Sequence, residues 1–85
     1  MTMRLAKFVK FREEKFGGVL FETRSEKVFT LNPTAAAVIS EIQAGYDEPQ
    51  ILTRLKERFG GSEGAIEREA VSFIADLRNK GLLED

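Results

Sequence analysis

With 85 residues, 42% of them hydrophobic and 32% charged, the chain is expected to form one globular domain, residues 1–85, with a small core and modest stability. A formal net charge of −1 gives no bulk attraction to nucleic acid or to an anionic membrane. Cysteine and histidine are both absent, which removes disulfides, thiolate chemistry, the commonest general base and the commonest metal ligand.

The chain begins MTMRLAKFVKF, and Arg4, Lys7 and Lys10 interrupt any apolar centre that a signal peptide would need. The longest unbroken apolar run, Ala35–Ile39, is far too short to span a membrane. A cytoplasmic protein is expected, with residues 1–6 flexible. The first predicted strand covers Lys7–Glu13, where Val9 and Phe11 alternate with Phe8, Lys10 and Arg12. Phe16-Gly17-Gly18 supplies a turn into a second strand, Gly18–Glu22, with Val19 and Phe21 on one face. The polar run Thr23–Glu26 is short enough for a hairpin loop. A third strand, Lys27–Leu31, presents Phe29 and Leu31 on one side and Val28 and Thr30 on the other.

Asn32-Pro33 ends that strand and opens a helix, because Asn is a favoured N-cap and Pro suits the first helical position. Helix one is predicted over Pro33–Ala44, with Gly45 as its left-handed stop. Asp47 or Glu48 caps helix two, which buries Ile51, Leu52, Leu55 and Phe59 and ends at Gly60-Gly61. Ser62 is the predicted cap of helix three, which runs to about Lys80 and stops at Gly81, and Leu82 and Leu83 fold back as a tail. Three strands followed by three helices make an α+β layout, a three-stranded antiparallel sheet followed by three helices.

No catalytic constellation emerges. Glu13 and Glu14 are adjacent in a strand and so point to opposite faces. Neither glycine pair carries the Gly-Lys-Ser/Thr ending of a phosphate loop. Ser25, Ser40, Ser62 and Ser72 have no histidine to activate them, and no acidic cluster suits Mg²⁺ or Ca²⁺. No enzymatic activity, metal or cofactor is expected. A winged-helix DNA-binding regulator is the alternative, with helix three in the major groove and the hairpin as wing. Its charges oppose that reading, since Glu63, Glu67, Glu69 and Asp76 outnumber Arg68, Arg78 and Lys80. On a helical wheel, Ile66, Ala70, Phe73, Ile74 and Leu77 form a core wedge, while Val71 and Ala75 fall on one flank of it.

The segments GGVLFE, KVFTLNPTAAAVISEI, EPQILTRLKERFG and AVSFIADLRNKGLL resemble the PqqD family, small peptide chaperones also called RiPP recognition elements, from about Phe8 to Leu83. The Leu31-Asn32 pair followed by a small-residue helix is the most specific piece. The resemblance implies a winged helix-turn-helix-like fold, no catalysis, and capture of a precursor peptide's leader as an added strand for presentation to a modifying enzyme. Carried onto this chain, it implies that the peptide pairs with Lys27, Val28, Phe29, Thr30 and Leu31 and rests on Val71, Ile74, Ala75 and Arg78. Arg78 would meet an acidic leader residue. The turn Glu13-Glu14-Lys15-Phe16-Gly17-Gly18 is similar to a subset found beside radical S-adenosylmethionine enzymes with iron–sulfur-binding (SPASM-type) extensions, which implies such a partner.

The physics of the third strand leads to the same place. Its centre, Val28-Phe29-Thr30, carries no charge that would repel a partner strand, although Lys27 and its short length limit self-pairing. Such an edge accepts a peptide through backbone hydrogen bonds, with alternate side chains giving selectivity. A monomer is expected, and a dimer formed by swapping the N-terminal hairpin is left open.

Overall fold

A computed structural model of the protein describes residues 3–60 and 64–84. Its main sheet has the order β2-β3-β4, with β2 spanning Val9–Glu14, β3 Gly17–Glu22 and β4 Lys27–Leu31, all antiparallel. A two-residue pairing joins β1, Arg4–Leu5, to β5, Leu83–Glu84. Strand β2 starts later than alternation suggests, because Val9 N–H turns back to the Ala6 carbonyl at 3.0 Å. Val19 and Phe21 do share a face of β3, and it is the face away from the helices. The neighbours Gly18, Leu20 and Glu22 are the buried ones. Gly18 is what allows this, since a Cβ there would come within 3.3 Å of Ala36 and 2.7 Å of the Phe11 ring.

Helix α1 spans Pro33–Gln43, and the Asn32 side chain accepts from Ala35 N–H at 2.8 Å, as the Asn-Pro junction predicts. Its small residues Ala36 and Ala37 let it lie close on the sheet, and Val38, Ile39 and Ile42 fill the centre of the core. Burying aliphatic side chains of this size stabilises the fold by about 1.5–3 kcal/mol each. Helix α2, Glu48–Phe59, opens with a capping box in which Asp47 accepts from Gln50 N–H and the Gln50 side chain accepts from Asp47 N–H. Ile51 and Leu55 are buried as expected, whereas Leu52 is half-buried and Phe59 is exposed. Helix α3 covers Ala65–Asn79. Its expected cap, Ser62, lies outside the described residues.

The N-terminal segment departs from expectation. Residues 1–6 are expected to be flexible, yet Met3 and Ala6 are buried and Arg4–Leu5 pairs with Leu83–Glu84. Ala6 N–H donates to the Leu82 carbonyl at 2.9 Å, and Arg4 meets Glu84 at 3.0 Å. A two-residue strand carries no periodicity, and its partner lies at the far end of the chain, so nothing local announces it. The C-terminal tail folds back as predicted, with Leu82 buried.

Candidate functional site: an open strand edge beside α3

Among the described residues, strand β4 has one neighbour, β3, and its other margin is unpaired. Which backbone groups face that margin follows from one hydrogen bond. Thr23 N–H donates to the Phe8 carbonyl at 2.8 Å, so in the regular register that follows, the odd-numbered residues of β3 direct their groups to β2. Gly18, Leu20 and Glu22 then bond to β4, where they lie opposite Leu31, Phe29 and Lys27. The remaining residues of β4, Val28 and Thr30, aim their N–H and C=O outward. The uncharged centre of the strand is therefore also its open hydrogen-bonding edge.

The side chains divide the other way. Lys27, Phe29 and Leu31 point toward the helices, and Val28 and Thr30 point to the opposite face, where Val28 is 59% exposed beside Phe21. Across a cleft from Phe29 lies α3. Two contacts fix its direction: Glu69 accepts from the Asn32 amide at 3.0 Å, and Lys80 Nζ sits 6.0 Å from the Phe29 ring centroid. Helix α3 therefore runs antiparallel to β4, with its early turns beside the end of the strand. Glu69, Phe73, Asp76 and Lys80 recur at helical spacing along this flank, and Phe73 is half-buried against the core.

The loop that leads into β4 is held by a buried carboxylate. Glu22 accepts from the Ser25 hydroxyl, from Arg24 N–H at 2.7 Å and from Ser25 N–H at 3.0 Å. The Ser25 hydroxyl lowers the Glu22 pKa, burial opposes it, and the two backbone donors reinforce the lowering. Arg24 covers the Phe8 ring at 3.5 Å. Its guanidinium thus lies at the same end of the cleft as Lys27 and Lys80.

The structure brings together only part of the residue set implied by the family resemblance. Lys27, Val28, Phe29, Thr30 and Leu31 make up β4 at the margin of the sheet, with Val28 and Thr30 on its open side. Ile74 is 1% exposed and belongs to the core. Arg78 meets Glu48 at 3.6 Å, and Glu67 meets Lys56 at 3.9 Å, so that flank of α3 faces α2. Val71 lies just beyond Arg78 on the helical wheel and shares that flank, away from β4. Ala75 is exposed on the outer surface of α3, next to Asp76 and Ser72. The residues that do face β4, Glu69, Phe73, Asp76 and Lys80, border the opposite side of the same apolar wedge. An amphipathic wedge has two borders, and periodicity alone does not say which one meets the sheet.

Residues 17–83 match the family described as "Coenzyme PQQ synthesis protein D (PqqD)". Three solved structures share the fold. Lasso peptide synthetase B1 complexed with the leader peptide is 21% identical, with a TM-score of 0.83 and 100% of both chains covered. TbiB1 in complex with the TbiA(beta) leader peptide is 21% identical, with a TM-score of 0.82 over 95% of this chain and 94% of that one. The PqqD truncation of Methylobacterium extorquens PqqCD, a stand-alone RiPP recognition element, is 25% identical, with a TM-score of 0.74 over 98% of this chain and 88% of that one. No curated protein matches the sequence.

Proposed function

The chain belongs to the PqqD family, and from that premise we propose that it is a non-catalytic adaptor for the leader of a ribosomally made precursor peptide. The leader adds as a fourth strand on the free margin of β4 and is held there for a modifying enzyme. The observation that carries this reading is the conjunction of an uncharged edge unpaired among the described residues, with Val28 and Thr30 directing donors and acceptors outward, and the half-buried rings of Phe29 and Phe73 on the strand and on α3 beside it. Main-chain bonds supply generic affinity there, and the cleft supplies selectivity. Two proteins of the same fold are complexes with leader peptides, and a third is a recognition element, which supports the reading.

The enzyme served is of the radical S-adenosylmethionine type with iron–sulfur-binding extensions, a reading that rests on the similarity of the Glu13–Gly18 turn. Of the helix residues first assigned to the peptide, Ala75 at the outer rim of α3 keeps the best position for contact, and Phe73 replaces Val71 as the apolar wall. Ordering the leader offsets part of the contact energy, so a dissociation constant on the order of micromolar to tens of nanomolar is expected.

The test is titration of ¹⁵N-labelled protein with the leader encoded beside this gene. Saturable shifts should appear at Val28, Thr30 and the α3 flank that includes Phe73. A flat titration with folded protein, or shifts confined to the α2 side of α3, would remove the basis for strand addition at this edge.

A further inference from the structure

We propose that the cleft reads charge direction along the bound strand, preferring a segment that is basic at its N-terminal end, apolar in the middle and acidic at its C-terminal end. The proposal rests on the adaptor reading above and specifies what that site selects. Its origin is the opposed charge at the two ends of β4. At the end of the strand, Glu69 projects from α3 and is held by the Asn32 amide at 3.0 Å. At the start of the strand, Lys27 faces the cleft with no ion-pair partner among the described residues, near Lys80 and Arg24.

The acids around that basic end do not cancel it equally. Glu22 is already engaged by Ser25 and Arg24, and Asp76 is paired with Lys80. Glu26 precedes Lys27 with a φ of 60° and is exposed, at the turn rather than in the strand. Lys27 is left as the cation with unspent charge on the cleft side of β4.

Pairing direction converts this polarity into a sequence pattern. Antiparallel pairing is the more stable arrangement per residue, and both existing ladders of the sheet use it. An antiparallel guest places its N-terminal end beside Leu31 and Glu69 and its C-terminal end beside Lys27. Residues directly opposite one another share a face. The guest residue opposite Leu31 therefore approaches Glu69, the one opposite Phe29 enters the cleft against Phe73, and the one opposite Lys27 approaches the free ammonium. Between these, the guest residue opposite Val28 emerges on the outer face, where Val28 and Phe21 already present apolar surface. The expected pattern is basic, any, apolar, apolar, acidic.

Two synthetic nonapeptides of identical composition test this, Lys-Thr-Phe-Val-Asp and Asp-Thr-Phe-Val-Lys, each capped and flanked on both sides by Gly-Ser. Amide-shift titration of the full chain should show the first binding about tenfold more tightly at low salt, the effect expected of two rim ion pairs made and two like-charge contacts avoided. The preference should shrink as salt rises. It should invert in the double variant Lys27→Glu, Glu69→Lys, whose fold is checked by its melting temperature. Equal binding of both peptides with shifts on β4, or a preference for the second, overturns the charge code while leaving leader capture standing. Failure of either peptide to shift the β4 amides also overturns it, and the leader titration then decides the adaptor reading separately.

Discussion

Proline placed along β4 separates the outward edge from the inward one. In the free protein the N–H groups of Val28 and Thr30 face solvent, so proline at either position removes no internal ladder bond. Stability should change by about 1 kcal/mol or less, the scale of a strand-propensity difference. Binding should suffer far more. Val28 and Thr30 offer the incoming strand one donor and one acceptor each, and every bond made contributes a net of about 1 kcal/mol. Removing one donor forfeits its bond and strands a desolvated carbonyl on the peptide, which together cost about 2–3 kcal/mol, or roughly 30- to 150-fold in affinity. Phe29→Pro is the contrast. Its N–H faces Leu20 in the ladder and its ring is half-buried, so the loss should reach about 3 kcal/mol or more of folding stability. Calorimetric titration with the leader and urea unfolding read the two quantities. If Val28→Pro and Thr30→Pro both bound the leader at unchanged strength, strand addition at β4 would be wrong. If Phe29→Pro were as stable as Val28→Pro, the assignment of inward and outward groups would be wrong instead.

Phe73→Ser should weaken leader binding by about tenfold, since an aromatic wall of the cleft is lost, while Val71→Ser and Arg78→Ala on the α2 flank should leave it unchanged; titration calorimetry on the three variants ranks them. Gly17→Ala should cost about 3 kcal/mol or more in urea unfolding, because a Cβ there would lie 2.1 Å from the Leu31 carbonyl oxygen at a φ of +142°. Gly45→Ala, with open space around it and a φ of +97°, should cost about 1 kcal/mol. Ser25→Ala should raise the Glu22 pKa toward the ordinary carboxylate range, as followed by carboxyl ¹³C shifts. The native depression of that pKa makes Glu22 stabilising above its unfolded-state value, and this contribution is lost as pH falls through the folded-state value. The urea midpoint should therefore be less sensitive to acid in Ser25→Ala than in the native chain.

The meander and the three helices are legible because each is written locally. Alternation marks the strands, Asn32-Pro33 and Asp47 cap two helices, and Gly45 and Gly60 stop them. The edge position of β4 is also legible, since a short strand with an uncharged centre closes the meander before the chain turns helical. Its partner wall is only half legible. The wheel for α3 identifies Ile74 as apolar without saying that it is fully buried, and it cannot choose between the Val71 and Phe73 borders. That choice is made by tertiary contacts, Asn32 with Glu69 on one side and Glu48 with Arg78 on the other. The β1–β5 pairing is illegible for a related reason: four residues supply too little pattern to reveal a partner some eighty positions away.

That terminal clasp has a mechanical consequence. Arg4 lies opposite Glu84 in antiparallel register, so sequence continuing from either end of the domain leaves from the same side. Tension transmitted through flanking chain, whether from a fused catalytic unit or an extending tether, would peel the clasp apart bond by bond, the weakest loading geometry. It would yield as a fuse, dissipating strain at the chain ends before the three-stranded sheet felt any load.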